Sequence, residues 1–439
     1  MLLIWALMPI FATIMEEVMQ YIWKFRLWPV GSLRTVDGQR VDVIDAGNIN
    51  TGSGPDFFNA KVNIDGRIWA GNIEIHVRAT DWYRHGHQDD PAYDNVILHV
   101  VSVDDGTVRR RLDNTELPQI IMPGIETFRT KLNQLISNPL ADVPCASHLP
   151  EVPDIYLKDW MTSLAIERLE SKSDSVFKIL DAHHGDWRFA IFVTLARGLG
   201  FGTNSDAMEQ LARSVPLDVV LRHSDDVRAM EAILLGIGDL INLDYPRDDY
   251  ERALGREWTF YSTKFNLNPG FRPLWRSRLR PGNHPARRLA LLASMLRDSF
   301  SLCSRIINID DSQNPRSLFD IEVSDYWRTH TAPGVTSPGL SASLSGSSRE
   351  LMAINVVAPV LYAYGTAIGD NSRREAAIDV LMSLHAEHNS IIAPLQKAGL
   401  ECRNAFASQA LLQLRKNYCL ARKCMFCRLG HRLLSKAII

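Results

Sequence analysis

Asp56, Glu74 and His76 form the spacing best suited to chemistry in this chain. They lie in "GPDFFNAKVNIDGRIWAGNIEIHV", where Asp56 follows a Gly-Pro pair and seventeen residues separate it from Glu74. If Ile73, Ile75 and Val77 face a core, strand alternation puts Glu74 and His76 together on the opposite face. Asp56, at the entry to the preceding strand, then comes beside them. Two converging carboxylates make a hard oxygen site for Mg²⁺ or Mn²⁺, ions that acidify water and stabilise charge building on a phosphate. His76 could orient the attacking water. The plain alternative is an amphipathic strand with a polar outer face.

A second group follows at once in "DWYRHGHQDDPAYDNVILHVV". His85, His87 and Asp90 are crowded enough to bind Zn²⁺ or another transition ion, or to line the same cleft and contact phosphate. The alternative for them is a polar loop. His99, alone in an apolar run, reads as a hydrogen-bonded core residue.

The elements that must position these groups are short. A helix is expected from about Met15 to Leu27, ending before Pro29. Strands are expected over Arg40–Ile44, Ala60–Ile64, Ile68–Val77 and Asn95–Val103, with Asp65-Gly66 as a hairpin turn. "NVILHVVSV" is apolar on both faces, as a central covered strand would be. From about Asp154 the texture becomes helical, with apolar residues at three- and four-residue spacing. "GLGFGTN" (Gly198–Asn204) follows a helix rather than a strand, so it reads as a helix end and turn, not a phosphate loop. The fold class is therefore α+β: a small mixed N-terminal sheet followed by a large all-α region. Expected boundaries are an upstream extension or over-called start at 1–14, an α/β domain at 15–140, a helical domain at 141–336, a Ser/Gly-rich loop at 337–349 and a C-terminal helical region at 350–439.

Six cysteines are present, and Cys419, Cys424 and Cys427 fall within nine residues. That crowding points to a metal or cluster, Zn²⁺ or [4Fe–4S], and away from a disulfide framework. The fourth ligand is open between Cys145, Cys402 and His431; reduced thiols between helices are the alternative. Two stretches lack acids altogether. Glu257 to Asp298 holds Arg272, Arg276, Arg278, Arg280, Arg287 and Arg288 with Trp275 among them, and the residues after Glu401 are likewise basic. Arg beside aromatic residues suits phosphate contact and base stacking on DNA or RNA. The formal net charge of −2 over 439 residues means that any polyanion must be met by such local patches. The first fourteen residues are apolar but too short to span a bilayer, and no other window reads as a span, so a cytoplasmic protein without a membrane partner is expected.

Asp56-x17-Glu74-x-His76, with a literal Pro55-Asp56, resembles the PD-(D/E)xK nuclease pattern. The resemblance implies a restriction-endonuclease-like sheet, metal binding by Asp56 and Glu74, and a further acid from the preceding helix, for which Glu17 is the candidate beside Glu16. His76 stands where the pattern has Lys. A lone Cys145 and a distal Cys triplet resemble the iron–sulfur staple of certain helicase–nucleases, although the order and spacing differ. The string from "GPDF" through "EIH", "DW" and "NVILHVV" also resembles a bacterial family known as domain of unknown function 2851. That resemblance runs over nearly the whole chain from Met15, through "SQALLQLRKNYC" and "CMFCRLG" near the end. Three functions stand open: a metal-dependent nuclease, a catalytically inactive nucleic-acid-binding scaffold, and a zinc hydrolase using His76, His85 and His87.

Overall fold

The computed structural model describes residues 15–137, 142–267, 273–276, 278–310 and 313–435. The expected extension at 1–14, and Arg272, lie outside these residues. The chain divides into two units: residues up to 157 together with 416 onward, and 158–415.

The first unit is the α+β one. Helix α1 spans residues 15–25. A mixed sheet follows, built from β1 (Val41–Asp45), β2 (Asn48–Ile49), β3 (Phe57–Ile64), β4 (Arg67–Arg78), β5 (Val96–Val103) and β6 (Gln119–Ile121). The order is β1-β3-β4-β5-β6, with β2 beside β3. β3 and β4 are antiparallel, whereas β4–β5 and β5–β6 are parallel. Asp65 and Gly66 both take positive φ, 48° and 89°, which is the type I′ geometry that a two-residue hairpin needs. Between β4 and β5 the chain makes the short helix α2 (Asp81–Arg84) and a turn at Pro91–Tyr93, and α3 (Ile125–Ile136) follows β6.

Alternation decides which face does what. Ile73 and Ile75 of β4, with Leu98 and Val100 of β5, are buried against Met19, Ile22 and Trp23 of α1 and Phe128 of α3. The intervening Glu74, His76 and His99 point to the other face and are buried too. β5 is the central covered strand its apolar run predicts, with all of Val96–Val101 buried.

The C-terminal segment departs from the expected boundaries. Cys424, Met425 and Leu434 belong to the core of the sheet unit, so 350–439 is not one region. A Cβ on Gly430 would meet the Cys424 carbonyl oxygen at 2.1 Å, which explains why the tail turns so closely there.

The second unit is helical around its own core, with one small antiparallel pair, β7 (His330–Ala332) and β8 (Val335–Thr336). One helix in it, Gly346–Ile368, is long and apolar enough to cross a membrane, contrary to the sequence expectation, but most of its apolar window is buried in this core. Residues 337–349 are not a free linker. Leu344 is buried, and Ser345 caps that helix by accepting the Ser348 amide.

Candidate metal centre

β4 overhangs its neighbour. β3 begins opposite Ile73, so the amides of Ile75 and Val77 have no β3 partner. Carboxylates take them. Asp56 Oδ2 accepts the Ile75 amide at 2.9 Å, and the Glu16 carboxylate accepts that of Val77. Asp56 Oδ1 accepts Gln20 Nε2 at 2.9 Å, and the Asp56 amide donates to Glu74 Oε2 at 3.1 Å. Three acids thus gather at one strand end.

Their mutual proximity and burial are expensive for charge. Burial first, then Glu74, pushes Asp56 up to about 7. Burial first, then Glu16, pushes Glu74 up to about 8. Glu16 is raised by burial and by Asp56 and Asp81.

Imidazoles meet the same Glu74. Its Oε1 lies 3.3 Å from His76 Nε2 and 3.3 Å from His87 Nε2. His85 Nδ1 is 3.2 Å from His76 Nε2. Among the described residues, His76, His85 and His87 are the group whose ligand atoms all lie within 4.8 Å of one another. His85 is exposed and His87 half-buried, so the cluster opens toward solvent. Tyr93 stacks on His87 with ring centroids 3.8 Å apart, and Trp82 packs edge-on against His87 and His99.

A hydrogen-bond chain behind the cluster assigns the tautomers. Gln119 Nε2 donates to Asp104 Oδ1 at 2.8 Å, so its carbonyl faces His99. His99 Nδ1–H then donates to Gln119 Oε1 at 2.9 Å. That leaves His99 Nε2 to accept from His76 Nδ1–H at 2.8 Å. His76 Nε2 is consequently a bare lone pair, aimed at a carboxylate oxygen and a second imidazole. Burial first, then the neighbouring His99, lowers His76 to about 2, and burial lowers His99 to about 4, so neither supplies a cation here.

The sequence candidates separate on this geometry. Asp56, Glu74, His76, His85 and His87 come together. Asp90 stands at the edge, where its side chain accepts the Ala92 amide and caps the Pro91–Tyr93 turn. Glu17 does not join them. It is exposed and lines a different cavity, of about 300 Å³, with Tyr21, Lys24 and His431. Adjacent residues on a helix point about 100° apart, and it is Glu16 and Gln20, one turn apart, that face Asp56. Sequence reasoning missed Gln20, Asp104 and Gln119 and read His99 only as a core residue. No sequence signal marked Gln119; Gln20 could have been found by its four-residue spacing from Glu16.

Cys145 lies near Cys424 and Cys427: burial first, then these two neighbours, pushes its thiol up to about 12. Cys419 is buried in the same unit, Cys402 is in the helical unit, and no disulfide joins them among the described residues. His431 is engaged through Nδ1 with the Tyr21 hydroxyl. In the acid-free stretch, Arg276, Arg278 and Arg280 are exposed. Trp275 is instead anchored, its indole N–H donating to the Gly238 carbonyl at 2.8 Å. Arg287 and Arg288 are buried, which takes them off any exposed strand-binding face. "GLGFGTN" forms the expected helix end and turn.

An α+β protein with a His- and carboxylate-rich cluster at the open end of a mixed sheet is the class this geometry defines. The chain belongs to the family described as "Protein of unknown function (DUF2851)", whose model matches residues 16–390. The match ends before the cysteine triplet. No curated protein and no solved structure matches the chain.

Proposed function

We propose that the sheet unit is a metal-dependent hydrolase whose ion is held by Glu74, His76, His85 and His87, with phosphodiesters as the substrate class. The observation that carries it is the approach of His76 Nε2 to Glu74 Oε1 at 3.3 Å, a lone pair facing a carboxylate oxygen. Two acceptors at that distance need a proton or a cation between them. Zinc–nitrogen bonds of about 2.0–2.1 Å give tetrahedron edges of roughly 3.3 Å. Three of the six separations match that: Glu74 to His76 and to His87 at 3.3 Å, and His85 to His76 at 3.2 Å, with the three imidazole atoms all within 4.8 Å of one another. Three imidazoles with one carboxylate suit a zinc-like ion better than Mg²⁺.

A divalent ion there supplies Lewis acidity toward a phosphoryl oxygen and acidifies water. The chain's own residues do the rest. Gln119 and His99 fix the His76 tautomer, as outer partners of metal-ligating histidines do. Asp56, with both oxygens already accepting hydrogen bonds, holds Glu74 and the end of β4 in place. His76, 2% exposed and bonded to His99, suits a ligand and not the water-orienting base of the nuclease pattern.

A second reading is a structural clasp, because four protein donors can close a tetrahedron. Metal analysis and hydrolysis of bis-p-nitrophenyl phosphate, single-stranded DNA and RNA separate the two. The protein to use is a Cys419, Cys424 and Cys427 to Ser variant, so that only the histidine site counts. About one zinc or manganese per chain with turnover supports the hydrolase; a bound ion without turnover on any substrate supports the clasp. No stoichiometric ion sinks both. The exposed Arg276, Arg278 and Arg280 are the residues to test for nucleic-acid contact, and the Cys cluster is the candidate for a separate zinc or iron–sulfur group.

A further inference from the structure

The helical unit buries two arginines that face no acid. Arg287 and Arg288 open the helix Pro285–Met295 and are 5% and 8% exposed. A buried guanidinium is normally paired with a carboxylate. Among the described residues neither is. Arg287 gives one N–H to the Ser341 carbonyl, and Arg288 gives one to the Asn283 side chain. Arg287 Nη1 and Arg288 Nε have no hydrogen-bond partner among the described residues. The Arg288 guanidinium lies over the Phe201 ring, 4.7 Å from its centroid. Burial, then the charge of Arg287, lowers Arg288 to about 10.

Both arginines line a cavity of about 170 Å³ together with Asn283, Ser343, Ser345 and Ser348. No carboxylate is among the described residues lining it. Two helix starts meet there. One is the first turn of Pro285–Met295; the other is the start of Gly346–Ile368, capped by Ser345. Helix N-termini carry partial positive charge and favour anions. Two uncompensated guanidiniums, the hydroxyls of Ser343 and Ser348 and two helix starts make one electropositive, donor-rich chamber.

We infer that this cavity is a binding site for a phosphate-type oxyanion, either free phosphate or the phosphate of a monoester. Its size is below the roughly 300 Å³ at which pockets for drug-sized ligands begin, so it seats a phosphoryl group and leaves the remainder of an ester outside. The site is separate from the histidine cluster and independent of the hydrolase reading. It also gives the Ser-rich 337–349 segment a role: Ser343 and Ser348 line the cavity with hydroxyls, the second held in place by the Ser345 hydroxyl that donates to it at 3.0 Å.

The test uses the full chain, with inorganic phosphate and AMP titrated calorimetrically at constant ionic strength and chloride as control. Saturable one-to-one binding of phosphate is expected, with a rise in Tm beyond that given by chloride. Arg288→Met should weaken binding at least tenfold and Ser348→Ala severalfold. If Arg288→Met fails to fold by circular dichroism, Ser343→Ala with Ser348→Ala takes its place. AMP binding tenfold tighter than phosphate identifies an ester as the source; equal affinity identifies free phosphate. No saturable heat with a Tm response equal to that of chloride overturns the site. Wild-type affinity in the folded variants overturns it equally.

Discussion

Asp56 and Glu74 are joined backbone to side chain: the Asp56 amide donates to Glu74 Oε2 at 3.1 Å, while Asp56 Oδ2 holds the amide of the residue after Glu74. The two carboxyls therefore cannot separate without unmaking the end of β4. With Asp56 raised to about 7 and Glu74 to about 8, the folded chain keeps protons that an unfolded chain has released above about pH 4. Stability of the metal-free protein should accordingly fall as pH rises from about 6.5 to 8, where the folded state binds more protons. Below about 6.5 the lowered His76 and His99 act in the opposite direction, because the unfolded chain protonates them first. Metal affinity should move oppositely, since an ion at Glu74 displaces a proton. Melting in EDTA at pH 6.5 and 8.5, with calorimetric zinc binding at both, checks the pair of signs. A Glu74→Gln variant should bind no zinc at this site and show a flatter alkaline decline.

Glu16 and Glu17 separate by one residue and should separate in effect. Glu16 faces Asp56 and takes the Val77 amide, whereas Glu17 lines another cavity. Glu16→Gln should change metal affinity by about tenfold, a charge effect of some 1.4 kcal/mol. Glu17→Gln should leave it unchanged. Equal effects from both would remove Glu16 from the site.

Gln119 should matter without touching an ion. Replacing it with Leu deletes the acceptor that holds His99 Nδ1–H and so frees the tautomer of His76. Outer partners of ligating histidines typically account for 10–100-fold in affinity. A loss of that size in zinc affinity is the expected result, measured at a temperature where the variant is still folded, because the stranded, fully buried His99 N–H also costs about 1–3 kcal/mol of stability. Gln119→Glu combined with Asp104→Asn, which keeps the acceptor for His99 and supplies an amide donor toward position 119, should recover most of it.

The parts that sequence could reach were those with local causes. The Asp65-Gly66 hairpin follows from two residues that tolerate positive φ, and the facing of Glu74 and His76 follows from period-two alternation. Helix phase separates Glu16 from Glu17 only once Gln20, one turn on, is placed on the same face, and that face is set by Asp56 across the sheet end. The chain from Asp104 through Gln119 and His99 to His76 spans three strands, and only β-register brings it together. The return of Cys424, Met425 and Leu434 to the first unit's core, and the burial of Arg287 and Arg288, are likewise products of tertiary packing that no local pattern encodes. An acid-free basic run looks the same in sequence whether it is exposed or closed over a cavity.

Glu231 tests the helical unit in the same terms. It is fully buried, yet its carboxylate accepts the Tyr250 hydroxyl at 2.6 Å, Trp327 Nε1 at 2.8 Å and the Ser324 hydroxyl at 2.9 Å. Glu231→Ala would strand three donors, of which Trp327 is wholly buried, and should cost about 3 kcal/mol or more. Glu231→Gln should cost less, because it keeps one acceptor. Urea melts with unchanged slope would measure both.

At Gly71 β4 passes β5 too closely for a side chain. A Cβ there would lie 2.5 Å from the Asn95 carbonyl oxygen and 2.5 Å from Ile97 Cγ2. The Asn95 carbonyl already accepts the Asn72 amide at 2.8 Å, at the point where the strand register shifts before Ile73. Gly71→Ala can be accommodated only by moving β5 away, and that movement carries His99 from its place opposite Glu74. Overpacking of this kind typically costs about 1–3 kcal/mol. The variant should therefore lose that much stability and, at a temperature where it is still folded, bind zinc more weakly than the wild type. Full zinc affinity with reduced stability would mean that the metal cluster does not depend on the β4–β5 seam.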